Sequence, residues 1–373
     1  MERALGRVAQ AGCPNLSLDK PHSYPSSWRS LPGGTGADNP VSPLKPELVF
    51  LEGVDREPAI EAHWREWHAS RPRDVHREHV QRAMSSRWGR RAWRVAAMRD
   101  REGRVLATAF VYDLHYRLAT QRLRLAGIGA LCVDPQLRRL GIGSQFLSAL
   151  HERLHEERHD GSALYSRIGR EFYERLGYHR LPSRLVEADL VEGRDPRFEP
   201  TQSLLREFEP RDFPAVRNLY NTSSALQRWA FLREDEYWRH RLDAQSERAR
   251  LFSRGSGRAL FLVGERDGRV VSYLRAAPAS GGDVLELLEY GFEPGAGEDV
   301  PALVSHAAES NGGTRPRRAR ALAPTRLANL LPARAPTWHS ERRRIFMLKS
   351  FGGFEIPSDA PQDERLVWAS DRF

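Results

Sequence analysis

Residues Cys132–Leu150 read CVDPQLRRLGIGSQFLSAL. The apolar run 128–133, which overlaps the start of this stretch, predicts a buried strand that ends at Asp134 and Pro135. The segment 138–144 then brings two arginines and two glycines and leads into a helix, because apolar residues recur every three to four positions from 142 to 154. The order of strand, basic glycine-containing loop and helix is the feature that decides the fold.

The start of this helix is suited to a phosphate or pyrophosphate group. The first N–H groups of a helix have no partner inside the helix, and the positive end of the helix dipole lies beside them. Gly141 and Gly143 allow a ligand close to the backbone, while Arg138 and Arg139 add cationic donors. The alternative is a helix that packs on a strand through its glycines and binds nothing.

Two common phosphate-binding patterns do not fit. The Walker A pattern needs Lys-Ser or Lys-Thr after its second glycine, and neither follows Gly143. The dinucleotide-binding pattern needs three glycines in another register. The pattern Arg-x-x-Gly-x-Gly after Val-x-Pro instead resembles motif A of the GNAT superfamily of acyl-CoA-dependent N-acyltransferases. That resemblance implies acetyl-CoA as cosubstrate and a coenzyme A pyrophosphate in the loop. The residues that it implies for the cofactor site are Leu131, Cys132, Val133, Arg138, Arg139, Leu140, Gly141, Ile142, Gly143 and Ser144.

A second motif follows. Residues 163–169 predict another buried strand, and 172–178 predict a short helix with Gly177 at its C-terminal end. This segment resembles GNAT motif B, which implies that Tyr173 is the general acid that returns a proton to the departing thiolate. A phenol is neutral at pH 7 and can donate a proton. The alternative for Tyr173 is a packing role beside Phe172 and Tyr178.

The composition of the chain excludes several classes of protein and of binding site. The chain has 373 residues, room for two domains, and its net charge of +9 is scattered among acidic residues rather than gathered into a nucleic-acid footprint. Cys13 and Cys132 are its two cysteines, which excludes a disulfide framework and a cysteine-based metal site. No apolar run approaches the roughly 18 residues of a membrane span. We expect a cytoplasmic protein with no metal, no nucleic acid and no membrane partner, and with homo-oligomerisation left open.

The chain divides into three predicted parts. Residues 1–46 are rich in Pro, Gly, Ser and Asn and predict a flexible, disordered leader. A catalytic GNAT domain is expected over 47–196, opening with a strand at 47–51 and a helix near 60–68. Two antiparallel strands, 93–98 and 104–111, precede the two motifs.

The second half of the sequence repeats part of the pattern of the first half. Residues 258–270 repeat the strand, charged glycine turn and strand of 92–105, so a second GNAT-like domain is expected over 201–373. At the place of the phosphate loop stand 291–299, where both arginines are missing and Glu293, Glu298 and Asp299 would repel a pyrophosphate. The predicted fold class is α/β (α+β), with two tandem GNAT-like domains that each have a mixed, mostly antiparallel sheet flanked by helices.

A tandem of one intact and one degenerate GNAT domain resembles the enhanced intracellular survival family of acetyltransferases. That family carries a third, sterol-carrier-like domain, which we do not expect within these 373 residues. The segment 165–169 also resembles fungal lysine N-acetyltransferases. In the enhanced intracellular survival family the chain ends in an aromatic residue whose carboxylate serves as the base. By that resemblance Phe373 is a second catalytic residue, the alternatives being a tail that only docks and a frayed terminus.

The leading hypothesis is therefore transfer of an acetyl group from acetyl-CoA to a primary amine by direct attack in a ternary complex. A non-catalytic acyl-CoA sensor is the alternative, and an interaction protein on an inactive scaffold is a third reading. The acceptor is expected to be a small-molecule or lysine-type amine. Trp64, Trp67 and His68 are candidates for its pocket, with core packing as the alternative for the tryptophans and a surface position for His68.

Overall fold

A computed structural model describes residues 46–181, 183–191, 197–198, 200–252, 259–279, 282–310, 315–322, 331, 333–340, 345–356 and 365–366. The predicted leader, apart from residue 46, lies outside these ranges.

The first half is built from seven strands and five helices in the described residues. The strands are β1 (Glu47–Leu51), β2 (Trp93–Arg99), β3 (Val105–Leu118), β4 (Gln121–Val133), β5 (Gly161–Ser166), β6 (His179–Leu181) and β7 (Arg184–Leu190). The helices are α1 (Glu57–Trp67), α2 (Arg73–Ser85), α3 (Arg87–Ala92), α4 (Ile142–Glu156) and α5 (Glu171–Glu174).

The second half adds nine strands and three helices within the described ranges. The strands are β8 (Leu204–Glu207), β9 (Trp229–Leu232), β10 (Leu260–Arg266), β11 (Arg269–Pro278), β12 (Val284–Phe292), β13 (Arg318–Leu322), β14 (Ala333–Ser340), β15 (Ile345–Ser350) and β16 (Arg365–Leu366). The helices are α6 (Phe213–Ala225), α7 (Asp235–Phe252) and α8 (Asp299–Glu309).

The strands form two mixed sheets, which confirms the predicted fold class. The first sheet has the order β1-β2-β3-β4-β5-β15-β6, and β9 joins it through β3 and carries β16. The second has the order β14-β7-β13-β12-β11-β10-β8. Each sheet is mainly antiparallel and has a parallel pair at the corresponding place, β4 with β5 and β12 with β13. The short strand β16 forms a second parallel pair in the first sheet, with β9. This correspondence agrees with the repeat that the sequence predicts.

The two sheets exchange strands. β7, from the first half, lies between β13 and β14, whereas β15, from the second half, lies between β5 and β6. Register pairs such as Met347 with Leu164 and Ala319 with Ala188 fix these positions. Each sheet thus needs a strand from the other half of the sequence. The division into domains at 196 and 201 stays a prediction.

Helices cover both faces of the first sheet. The apolar side of α4 is completely buried against one face through Phe146, Leu147, Leu150 and Leu154, each 0% exposed. Helices α1, α2 and α3 pack on the opposite face, around Phe110 of β3. Burying a leucine or phenylalanine side chain contributes about 1.5–3 kcal/mol, so α4 is firmly fixed on the sheet. Its N-terminus therefore has a fixed position beside the end of β4.

Candidate active site

Strand β4 separates from β5 near its C-terminal end. The parallel pairing of the two strands stops at Ile128 and Leu164, yet β4 continues to Val133 along β3. A bulge accompanies the separation: Thr108 pairs with Cys132 and Phe110 with Gly129, so two residues of β4 stand opposite one of β3. No described strand pairs with the β5 side of residues 129–133. An extended ligand with amide groups can hydrogen-bond to this open edge as an additional strand would.

Backbone conformation shapes the bulge and the loop that follows. Ala130 in the bulge has φ 49° and Arg139 in the loop has φ 68°, both in the left-handed region. Gly141 precedes α4 with φ 83°, and a Cβ on it would meet no atom within 4 Å. Glycine is favoured at 141 because of this dihedral angle, since space alone would admit a side chain.

The first turn of α4 offers backbone donors. The N–H groups of Ser144 and Gln145 both donate to the carbonyl of Gly141, at 3.0 Å. For the N–H groups of Ile142 and Gly143, no acceptor exists within the described ranges, and the first turn of α4 contains no acidic residue. Free donors at the positive end of a helix dipole favour an anion. The diphosphate site that the sequence indicates here stays a prediction.

Arg138 reaches across the loop. Its Nη2 donates to Oε2 of Glu66 on α1 at 2.9 Å, and its Nε donates to the carbonyl oxygen of Val133 at 3.2 Å. Arg139 and Leu140 are exposed, Leu140 to 66%. The guanidinium of Arg138 therefore lies between the end of β4 and α1.

Tyr173 lies on the one-turn helix α5, beside the start of α4. It is 7% exposed, and its ring contacts those of Phe172 and Tyr178, with centroids 4.9 Å and 5.7 Å away. No hydrogen bond joins its hydroxyl to the described residues. Burial raises the pKa of Tyr173 to about 12, so the phenol stays protonated at neutral pH. Such a group is a proton donor with no competing partner among the described residues.

Tyr178 has a structural role instead. Gly177, with φ 83°, ends the short helix as predicted and turns Tyr178 into the core. The Tyr178 hydroxyl lies 2.7 Å from Oγ of Ser162 on β5 and 2.9 Å from Nε2 of His151 on α4. These contacts join the strand and both helices of the site. Burial, with a smaller effect from Lys349, lowers the pKa of His151 to about 3, so this imidazole is neutral at physiological pH.

A cluster of aromatic rings lies on the other face of the sheet. The rings of His63, His68 and His76 have centroids 4.8–5.0 Å apart, and His63 also contacts Trp67 and Phe110. Burial, aided by neighbouring cationic groups, lowers the pKa of His63 to about 2 and that of His76 to about 4. The imidazoles of His63 and His76 are therefore neutral at pH 7.

Two of the three predicted acceptor-pocket residues, Trp67 and His68, belong to this ring cluster. Trp64 does not: its Nε1 donates to the carbonyl of Arg71 at 2.9 Å and fixes the loop after α1. The cluster lies over Phe110, which pairs with Gly129 beside the bulge of β4. Sequence analysis missed His63 and His76, because they come from two helices whose contact no spacing reveals.

The predicted catalytic residue Phe373 lies outside the described residues. In the described part of the chain, no three His, Cys, Asp or Glu side chains have an arrangement that would hold a metal ion. None of the helices seen there is long and apolar enough to cross a membrane.

The second half places a carboxylate where the first half has free N–H groups. Helix α8 begins at Asp299, whose carboxylate is 0% exposed and accepts hydrogen bonds from Ser203 Oγ at 2.8 Å, Ser272 Oγ at 2.7 Å and Thr201 Oγ1. Glu298 adds an ion pair with Arg266 at 3.0 Å. A buried anion at this helix start opposes a second anion there.

Sequence comparison identifies the first half. Residues 56–181 match the sequence model of the acetyltransferase (GNAT) domain. This chain carries a GNAT acetyltransferase domain. The matched range contains β4, the loop that follows it, α4 and Tyr173. The match assigns residues 56–181 to the GNAT acetyltransferases. No curated protein sequence matches the chain.

Solved structures share the fold over most of the chain. A protein of Enterococcus faecalis V583, described as a probable N-acyltransferase, has a TM-score of 0.64 at 15% identity over 83% of this chain and 73% of its own. Eis1 of Mycobacterium abscessus has a TM-score of 0.54 at 14% identity over 82% and 73%. N-myristoyltransferase of Saccharomyces cerevisiae, with bound myristoyl-CoA, has a TM-score of 0.50 at 13% identity over 84% and 85%. The similarity to Eis1 concerns the fold, and it agrees with the tandem arrangement that the sequence predicts.

Proposed function

We propose that the protein is an N-acetyltransferase that transfers the acetyl group of acetyl-CoA to a primary amine by direct attack. The observation that carries the proposal is that three features lie close together: Gly143, at the free N–H groups of α4, is beside Val133 at the open edge of β4 and beside Phe172, the neighbour of the protonated Tyr173. The GNAT domain supports N-acyltransferase activity in general. The three features support the proposal of acetyl-CoA as cosubstrate and of direct attack as the mechanism.

The residues fit a coenzyme A thioester. The open edge at 129–133 offers backbone groups to the two amides of a pantetheine arm, as a neighbouring strand would. The N–H groups of Ile142 and Gly143, with Arg138 and Arg139, suit its diphosphate. When bound, acetyl-CoA supplies an activated acyl group on a good leaving group.

The chain's own groups then handle two protons. A backbone N–H at the bulge polarises the thioester carbonyl, where negative charge develops as the amine nitrogen forms its bond to carbon. A base takes the proton of the attacking amine, and we assign this role to the terminal carboxylate of Phe373 or, failing that, to a water-linked glutamate. Tyr173 gives its proton to the thiolate as the carbon–sulfur bond breaks, and afterwards regains one from solvent.

We further propose that the ring cluster on the opposite face borders the acceptor pocket. The ring of His63 contacts Phe110, and the rings of Trp67 and His68 contact His63. We assign the approach of the amine to this face of the sheet. Apolar rings and neutral imidazoles suit the alkyl part of a small-molecule or lysine-type amine. The second half contributes strand β15 and packing, with its own helix start closed by Asp299.

The test combines binding with turnover. Acetyl-CoA is titrated calorimetrically, and thiol release is then followed with a panel of aminoglycosides, polyamines, lysine peptides and amino acids. We expect binding and amine-dependent thiol release, with the acetylated amine identified by mass spectrometry. Binding without turnover on any amine would favour the sensor, and absence of binding would contradict both functions.

A further inference from the structure

Arg138 connects the phosphate loop to the helix on the opposite face of the sheet. Its guanidinium binds Glu66 in the last turn of α1 at 2.9 Å, and the same side chain donates to Val133 at 3.2 Å. Both charged side chains remain accessible, Arg138 at 39% and Glu66 at 36% of their surface. A ligand at the end of β4 can therefore reach the guanidinium while Glu66 is still beside it.

Glu66 also acts on the end of β4. Burial is the main reason why the pKa of Cys132 is raised to about 12, and the negative charge of Glu66 adds to the effect. The carboxylate is thus close enough to β4 for its field to act there. A fixed negative charge at this place opposes the approach of any anion to the loop.

We propose that Glu66 competes with coenzyme A for Arg138. Its carboxylate binds the guanidinium when the loop at 138–144 holds no anion, and the diphosphate of an incoming coenzyme A displaces it. An accessible carboxylate–arginine pair is weak. A diphosphate brings two anionic groups and several acceptor oxygens to the fork of N–H donors, so it displaces a single carboxylate. Glu66 therefore lowers the affinity for the cosubstrate. This inference rests on the proposed function.

The first experiment compares E66Q with wild type in calorimetric titrations of acetyl-CoA. We expect the Kd of E66Q to fall roughly three- to tenfold at low ionic strength, because a competing charge is removed. The gain should shrink as salt is added, since the groups are accessible to counterions. S-acetylpantetheine lacks the diphosphate, and its affinity should not change.

E61Q is the matched control. Glu61 lies on the same helix and pairs with Arg65 and Arg73, so its substitution changes the same charge while leaving Arg138 untouched. We expect its Kd for acetyl-CoA to equal that of wild type. A comparable gain in E61Q would attribute the effect to net charge and overturn the inference.

A double-variant cycle tests the route through Arg138. R138Q should weaken acetyl-CoA binding, and adding E66Q to R138Q should then change the Kd by less than about twofold, since no guanidinium remains to compete for. Equal tightening in both backgrounds, or weaker binding by E66Q, would overturn the inference. Failure of the wild type to bind acetyl-CoA would overturn the proposed function with it, whereas binding with an unchanged Kd in E66Q would overturn the inference alone.

Discussion

Tyr173→Phe should separate catalysis from folding, because the hydroxyl of Tyr173 has no described hydrogen-bond partner. The variant keeps the ring that contacts Phe172 and Tyr178 and loses only the proton donor. We expect kcat to fall about ten- to a thousandfold, which corresponds to roughly 1.4–4 kcal/mol of transition-state stabilisation. The Kd for acetyl-CoA should change little, and the free energy of unfolding should stay within about 0.5 kcal/mol of wild type.

Tyr178→Phe is the matched control, one turn away with the same chemical change. It removes a hydroxyl that lies 2.7 Å from Ser162 and 2.9 Å from His151, both buried. We expect unfolding to become easier by about 1–3 kcal/mol, with kcat nearly preserved. Steady-state kinetics on the amine that the panel identifies and urea denaturation measure both quantities. Full kcat in Tyr173→Phe, or equal loss of kcat in both variants, would refute the assignment of the general acid.

Three other predictions concern the tail, acid stability and the second half. Deleting Phe373 and appending one alanine after it should each cost about a hundredfold in kcat if the terminal carboxylate is the base; an extended chain with full kcat and an unshifted pH profile would exclude that carboxylate. His76 and His151 have pKa values lowered to about 4 and about 3, so the unfolded chain binds their protons first as the pH falls below about 6.5. The free energy of unfolding should have its full value above pH 6.5 and be lower by roughly 1–2 kcal/mol per histidine at pH 5, as measured by denaturation at both pH values. If H76L lost as much stability between these pH values as wild type, the prediction for His76 would be wrong. Asp299→Ala should lower the free energy of unfolding by about 2–4 kcal/mol, because three hydroxyl groups lose their acceptor. Acetyl-CoA binding should not change, and an altered binding stoichiometry would assign the start of α8 to the cosubstrate instead.

Local pattern was sufficient to predict the turn after β4 and the start of α4. The segment 138–144 and the apolar spacing of α4 are short-range signals, and the helix begins at Ile142 as expected. Strand β3, in contrast, continues to Leu118, seven residues beyond the predicted end at 111. Residues 112–118 pair with 121–127 of β4 in a local hairpin, which was not predicted. On the other side, His115–Leu118 pair with β9, more than a hundred residues away, and no local signal indicates that pairing.

Long-range contacts explain what the sequence could not reveal. The strand at 184–190 was not predicted from the sequence, and no local signal indicates that it pairs with β13, from the other half of the chain. The pair of Glu66 with Arg138 and the contact of His63 with His76 have the same character, because each joins residues that only the packing of α1 brings together. The role of Phe373 came from family resemblance and stays a prediction.

The binding of acetyl-CoA by R138E/G141D tests the central claim most directly. Charge reversal at Arg138 and a carboxylate at Gly141 oppose a diphosphate. A Cβ at 141 would meet no atom within 4 Å, although φ 83° is strained for Asp, so the folding of the variant is verified before the titration. The account predicts one saturable site per chain in wild-type protein by titration calorimetry, and no binding by the folded double variant. Undiminished binding by that variant would contradict the assignment of the loop at 138–144 as the cosubstrate site.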